Sequence, residues 1–202
     1  LGDFMFIAHR GKVTNLSKEN TLEAFIEAIN DPKYLGFELD IRTTKDKKFV
    51  CIHDFFWKNN LISKIEQKDL PSSIPLLSSV LKLDTDKIIL IEIKEKDIDT
   101  EVLNSLLNKY ANKNIYVMSF YNSTIKKLLS LEHHYKCGVL NYLFNSELSY
   151  QEYDFICLLN STLTEELINY FTKRKITIFS YGLLKNSPKF YEDIYYIIDN
   201  KI

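Results

Sequence analysis

Hydrophobic residues fall along this chain in short runs separated by longer amphipathic segments. Eight runs, at 4–8, 36–41, 88–93, 115–120, 137–140, 155–159, 176–179 and 195–198, have the length and the β-branched or aromatic content of buried strands. Between many of them the apolar positions recur at helical spacing, at 21–29, 76–83, 100–110, 123–131 and 164–171. Asn20 stands where the first helix needs an N-cap, with Glu23 three residues on as in a capping box, and Asn122 stands likewise at the fourth. Strands alternating with helices predict a parallel sheet with right-handed crossovers. Eight such strands in one unit predict an α/β fold closed as a (β/α)8 TIM barrel, a single domain over residues 1–202.

One connection departs from this alternation. From Asp40 to His53 the chain reads DIRTTKDKKFVCIH, with 45–48 as its only turn. A parallel crossover needs a dozen or more residues, so a hairpin projecting from the second strand is expected instead. That hairpin would fold His53 back toward Asp40.

Composition narrows the function by exclusion. The 202 residues are 46% hydrophobic and 26% charged, with a net charge of -1, so there is no broad basic surface for nucleic acid. No apolar stretch approaches the roughly 18 residues of a membrane span. The opening LGDFMF has neither a basic segment nor a long apolar run of the signal-peptide kind. Cys51, Cys137 and Cys157 are far apart in apolar runs and form no disulfide or metal spacing, which favours a reducing, cytoplasmic setting.

The candidate chemistry lies at the carboxyl ends of the predicted strands, where barrel active sites are built. The stretch FIAHRGK ends an apolar strand with His9 and Arg10, and FELDI, CIHD and ILIEIK add Glu38, Asp40, His53, Asp54, Glu92 and Lys94. Glu38 and Asp40 are two apart, as are Glu92 and Lys94, so each pair shares one face of its strand. Their apolar neighbours should pack against helices, which turns the charged positions into the barrel. Unpaired carboxylates there are costly, and three of them without a neighbouring thiolate suit one hard divalent cation, Mg2+ or Ca2+. Arg10 and Lys94 add positive charge for a phosphate, and two histidines can divide proton transfer at neutral pH. Other features read as structure: His133 and His134 as a solvated pair after a helix, Lys45, Lys47 and Lys48 as turn chemistry, and the aromatics of 191–196 as core. Phe55, Phe56 and Trp57 are expected to pack over the barrel rim.

The pieces HRG at 9–11, ENT at 19–21, FELDIRTTKDKKFVCIHD at 37–54, IEIK at 91–94 and SF at 119–120 together resemble the glycerophosphodiester phosphodiesterase family. The resemblance implies a barrel in which Glu38, Asp40 and Glu92 bind a divalent metal and His9 and His53 act as the acid/base pair. It also implies hydrolysis of glycerophosphodiesters to glycerol 3-phosphate and an alcohol, with Arg10, Lys94, Phe120 and Phe179 contacting the small-molecule substrate. A hydroxyl beside the ester, as glycerol has, could itself attack the phosphorus and give a cyclic phosphate. The likeness is strong from 6 to 120 and weaker beyond. Phe179-Ser180 stands where the family has Trp-Thr, Ile198-Asp199 where it has Thr-Asp, and the usual insertion after Asp54 is much reduced. The reduced insertion leaves room for a barrel phospholipase acting on lysophospholipid or other membrane lipid head groups; a catalytically silent binding module is the other reading, against which both histidines, the three carboxylates and Lys94 argue.

Overall fold

The computed structural model describes residues 4–184, 186 and 189–200; residues 1–3, which begin the LGDFMF stretch, lie outside them. Eight parallel strands form the barrel: β1 (Met5–Ala8), β2 (Tyr34–Thr43), β6 (Ile88–Ile93), β7 (Ile115–Ser119), β8 (Lys136–Asn141), β9 (Phe155–Leu159), β10 (Thr177–Tyr181) and β11 (Ile194–Ile198). Each pairs with its sequence neighbour among these eight, and β1 pairs with both β2 and β11, which closes the ring. The alternation of strands and helices is thus realised as the predicted TIM barrel.

Side-chain alternation sorts the core into two layers. Ile88 and Leu90 on β6, Tyr116 and Met118 on β7, Cys157 on β9 and Phe179 on β10 pack together as one buried group that fills the barrel. Ile89, Ile91, Val117 and Ile156, offset by one residue, join Phe25, Leu103, Ile125 and Phe171 in the layer beneath the helices. Gly138 keeps the interior tight, because a Cβ there would stand 2.4 Å from the Phe155 ring.

The outer layer holds α1 (Leu22–Asn30), α2 (Leu77–Leu81), α3 (Thr100–Asn108), α4 (Asn122–Leu129) and α5 (Glu165–Thr172). The ring of helices is incomplete. Between β8 and β9 the chain makes only a 3-10 turn, Tyr150–Glu152, and no helix links β10 to β11 among the described residues. Two expected caps are also replaced. Thr21, not Asn20, caps α1 by accepting from the Ala24 N–H, while Asn122 lies inside α4 and accepts from the Tyr153 hydroxyl at 2.6 Å. Asn20 has left the cap because its side chain is committed elsewhere.

The expected hairpin is present. β3 (Phe49–Cys51) runs antiparallel to β2, with Ile41 opposite Cys51, and the Ile52 N–H donates to the Asp40 carbonyl. Beyond it β4 (Phe56–Trp57) and β5 (Asn60–Leu61) form a small ribbon whose turn residues, Lys58 and Asn59, are both left-handed, as a type I′ turn requires. Trp57 packs on the small cluster of Val50, Ile62, Leu70 and Ile74, but Phe55 and Phe56 remain 58% and 56% exposed. The expectation that all three pack over the rim therefore holds for Trp57 alone. All three cysteines are buried and unbridged, and no described helix is long and apolar enough to cross a membrane.

Candidate active site

The carboxyl ends of β1, β2 and β6 bring six sequence-selected side chains into one constellation. One oxygen each of Glu38, Asp40 and Glu92 lies within 4.8 Å of the others, a consequence of the β2–β6 register that sets Asp40 directly opposite Glu92. Glu38 and Asp40 are almost wholly buried. Burial first, and the Asp40 charge second, raise the Glu38 carboxyl to about 8; the same causes raise Glu92. Such a site is expensive unless positive charge offsets it.

Two cations are built in. The Lys94 Nζ donates to the Glu92 carboxylate at 2.7 Å and lies 3.7 Å from Asp40 Oδ1. Arg10 approaches from β1: its N–H donates to Glu38 at 2.9 Å, its Nε lies 3.2 Å from Asp40 Oδ2, and its Nη1 donates to both Glu19 oxygens. Arg10 is left-handed (φ 55) and is followed by Gly11 at φ 83. A Cβ on Gly11 would meet the Ala24 backbone at 2.8 Å, so this glycine lets the chain leave the site directly against α1.

Asn20 accounts for the rest of Asp40. Its Nδ2 donates to Asp40 Oδ2 at 2.9 Å, and its Oδ1 accepts the Asp40 N–H at 3.0 Å. Asp40 Oδ1 is buried without a hydrogen-bond donor. An orphaned carboxylate oxygen beside two more carboxylates, with only oxygen donors available, fits a hard divalent cation held by Glu38, Asp40 and Glu92.

The two histidines meet this cluster from different elements. His9 follows β1, its Nδ1 lies 2.8 Å from Asp199 Oδ1, and its Nε2 stands 4.0 Å from Glu38. Burial lowers the His9 pKa, but the Asp199 hydrogen bond and the Glu38 charge outweigh it and leave it above the ordinary value. His53 follows β3, with Nδ1 3.0 Å from Asp54 Oδ1 and its carbonyl accepting from Arg42 Nε. It lines a cavity of about 620 Å³ together with Arg42, Asp54, Phe55, Phe56, Glu92, Lys94 and Phe120. His9, Glu38, Glu92, Phe120 and Tyr181 line a smaller recess of about 50 Å³, so Glu92 and Phe120 border both spaces.

Phe179 is the exception among the sequence-selected residues. It is fully buried in the barrel, stacked on Tyr195 at 4.8 Å, and reaches neither space. Tyr181, two residues further along the same face of β10, reaches the recess instead. Arg42, Tyr142 and Tyr181 were not singled out from the sequence, and Asn20 and Asp199 were named there without a role in the site. Arg42 had a usable signal, since it continues the two-residue period of Glu38 and Asp40; Asn20 was masked by its resemblance to a helix cap.

Residues 9–63 match the model of the glycerophosphoryl diester phosphodiesterase family, a segment that includes His9, Arg10, Glu38, Asp40 and His53. A glycerophosphodiester phosphodiesterase of Caldanaerobacter subterraneus subsp. tengcongensis is 27% identical over 162 residues, covering 67% of this chain and 66% of the relative. The crystal structure of a glycerophosphodiester phosphodiesterase from Thermotoga maritima superposes with a TM-score of 0.74 at 27% identity, over 92% of this chain and 88% of that one. An Oleispira antarctica phosphodiesterase, solved with the product sn-glycerol-3-phosphate, shares the fold at a TM-score of 0.76 and 16% identity, over 89% and 84% of the two chains. Motif, relatives and barrel agree: the chain is similar to the glycerophosphoryl diester phosphodiesterase family over 9–63 and shares the barrel of its solved structures.

Proposed function

We propose that the protein hydrolyses glycerophosphodiesters to glycerol 3-phosphate and an alcohol, using one divalent cation, Mg2+ or Ca2+, and the His9/His53 pair. The observation that carries this reading is the cluster of Glu38, Asp40 and Glu92 flanked by two histidines, each with its Nδ1 against a carboxylate. The relatives support the substrate class, including the neighbour that holds sn-glycerol-3-phosphate as product.

A phosphodiester resists hydrolysis because its negative charge repels nucleophiles and its alkoxide leaves poorly. A divalent cation supplies Lewis-acid stabilisation of the charge that develops on the phosphoryl oxygens. Arg10 and Lys94 add fixed positive charge at the same place and are held there by Glu19, Asp40 and Glu92. Carboxylates at Nδ1 orient both imidazoles and leave Nε2 of each to exchange protons. One Nε2 takes the proton of the attacking oxygen, either of water or of the hydroxyl beside the ester; in the second case the alcohol leaves a cyclic phosphate, which water must then open to give glycerol 3-phosphate. As the P–O bond to the alcohol breaks, the other Nε2 delivers a proton to the leaving oxygen. Release of glycerol 3-phosphate from glycerophosphocholine should require Mg2+ or Ca2+ and cease in EDTA. Full activity in excess chelator would contradict the reading.

A further inference from the structure

The two histidines are fixed to the barrel in different ways. His9 is held from a neighbouring strand end: its N–H donates to the Ile198 carbonyl at 2.9 Å, and its Nδ1 lies against Asp199, which follows β11. The ring partner of His53 is Asp54, the next residue on the same bend, so the pair moves as one and does not by itself fix the histidine to the barrel. Residues 53–55 belong to no strand, since β3 ends at Cys51 and β4 begins at Phe56. The bend is pinned on one side at Ile52, whose N–H donates to the Asp40 carbonyl, and on the other at Phe55, whose carbonyl accepts from the Ile62 N–H. Between these points Arg42 reaches it from β2. Its Nε donates to the His53 carbonyl at 2.9 Å, and its guanidinium carbon lies 3.8 Å from the centre of the Phe55 ring. Arg42 is 2% exposed and forms no ion pair with a described carboxylate; Glu95, Asp40, Asp54 and Glu92 offset its charge at longer range. Burying a cation for one bond to a carbonyl adds little stability, since an apolar side chain of similar volume commonly does as well. Geometry is what this arginine secures. Asp40 and Arg42 are two apart on β2, so the strand that carries two of the three carboxylates also carries the side chain that holds His53.

We propose that Arg42 is a positioning residue: it ties the His53–Asp54 bend to β2 and so sets where the His53 ring stands relative to the carboxylate cluster. The inference rests on the catalytic reading of His53 above and adds a residue to it. A guanidinium suits this task because its edge bonds the carbonyl while its planar face meets the Phe55 ring. A lysine at this position keeps the charge but has no Nε–H fork and no planar face. Misplacing a proton-transfer group by about 1 Å removes about 10²-fold in rate, so a loose bend is costly to turnover and not to folding. Arg42 also lines the cavity beside His53, and direct contact with the diester is the competing role. The two roles differ in what happens once His53 is gone.

The test is a double-mutant cycle on glycerophosphocholine hydrolysis with saturating metal, comparing wild type, Arg42→Lys, His53→Ala and the double variant. Arg42→Lys should lose about 10- to 100-fold in kcat, with KM within about threefold of wild type and metal affinity by calorimetric titration unchanged. In the His53→Ala background the same substitution should cost less than about threefold, because a residue that acts through His53 has nothing left to place. Should Arg42→Lys fail to fold, Phe55→Ala carries the cycle. Phe55 is more than half exposed, so its loss leaves the core intact while removing the ring that the guanidinium meets. Its kcat should fall about three- to tenfold, again only where His53 is present. Three results would overturn the proposal: wild-type kcat in Arg42→Lys, which leaves charge as the whole role; an equal loss with and without His53, which makes Arg42 a substrate contact; or a loss that follows weakened metal binding, which routes it through Asp40. Any of these, with wild-type turnover and a His53→Ala loss intact, keeps the diesterase and discards the positioning role. No turnover by wild type, or His53→Ala at the wild-type rate, discards the catalytic reading of His53 and this proposal with it.

Discussion

Asn20 and Asp40 hold each other by two hydrogen bonds running in opposite directions, side chain to carboxylate and backbone N–H to side chain. Asn20 is left-handed (φ 55) and buried, so the backbone accepts an uncommon conformation to aim this amide. It fixes one oxygen of Asp40 and leaves the other, Oδ1, buried without a hydrogen-bond donor, 3.7 Å from the Lys94 Nζ. Asn20→Ala should therefore lower divalent-cation affinity about 10- to 100-fold while the far-ultraviolet circular dichroism is kept. Unchanged metal affinity by calorimetric titration would reduce Asn20 to a support of the loop.

Lys94 bears on both Glu92 and Asp40 and faces the cavity. With a fixed charge removed from the transition state, Lys94→Met should lose about 10²- to 10³-fold in kcat/KM with metal present. A variant with wild-type kcat/KM would leave the lysine as a neutraliser of Glu92 only.

Phe179 belongs to the packing of the barrel. Phe179→Ala should cost about 3–5 kcal/mol of stability by denaturant unfolding, because it empties the space against Tyr116, Phe155 and Tyr195. At temperatures where the variant is folded, KM should stay within about twofold of wild type. A large KM effect with stability retained would return Phe179 to the substrate.

Glu38 makes the metal-free protein sensitive to alkali. Its carboxyl is raised from the ordinary 4.5 to about 8, so between those values the folded state binds more protons than the unfolded chain, and stability falls as pH rises. His9, raised above 6.5, works in the same direction, because its partners favour the protonated ring. In EDTA the Tm should decline from about pH 5 to pH 8, and saturating Mg2+ or Ca2+ should flatten the decline. A metal-free Tm that rises over this interval would contradict the charge balance assigned to the site.

The barrel was legible because eight strand-like runs are interleaved with five segments of helical period, and a register-sensitive pair such as Glu38 and Asp40 can face the interior only together. The hairpin was legible from connection length alone; the Ile52 N–H bonds the Asp40 carbonyl, one residue before the His53 that was expected to fold back toward Asp40. Residues whose local chemistry imitates something commoner were misread. Asn20 looks like a helix cap, and Phe179 looks like a mouth residue because its strand runs two residues further than its apolar run, to Tyr181. Trp57 packs on the cluster of Val50, Ile62, Leu70 and Ile74 while Phe55 and Phe56 stay exposed, a division that no linear pattern records.

We infer that His9 and His53 share the proton transfers of one phosphodiester cleavage. The most direct test is kcat/KM for an unactivated diester, glycerophosphocholine, measured with saturating metal for wild type, His9→Ala, His53→Ala and the double variant. Each single variant should lose at least about 10²-fold while still binding metal, and the double variant should be little worse, because groups that act as a unit are far from additive. A His53→Ala enzyme that hydrolyses the diester at the wild-type rate would contradict the account.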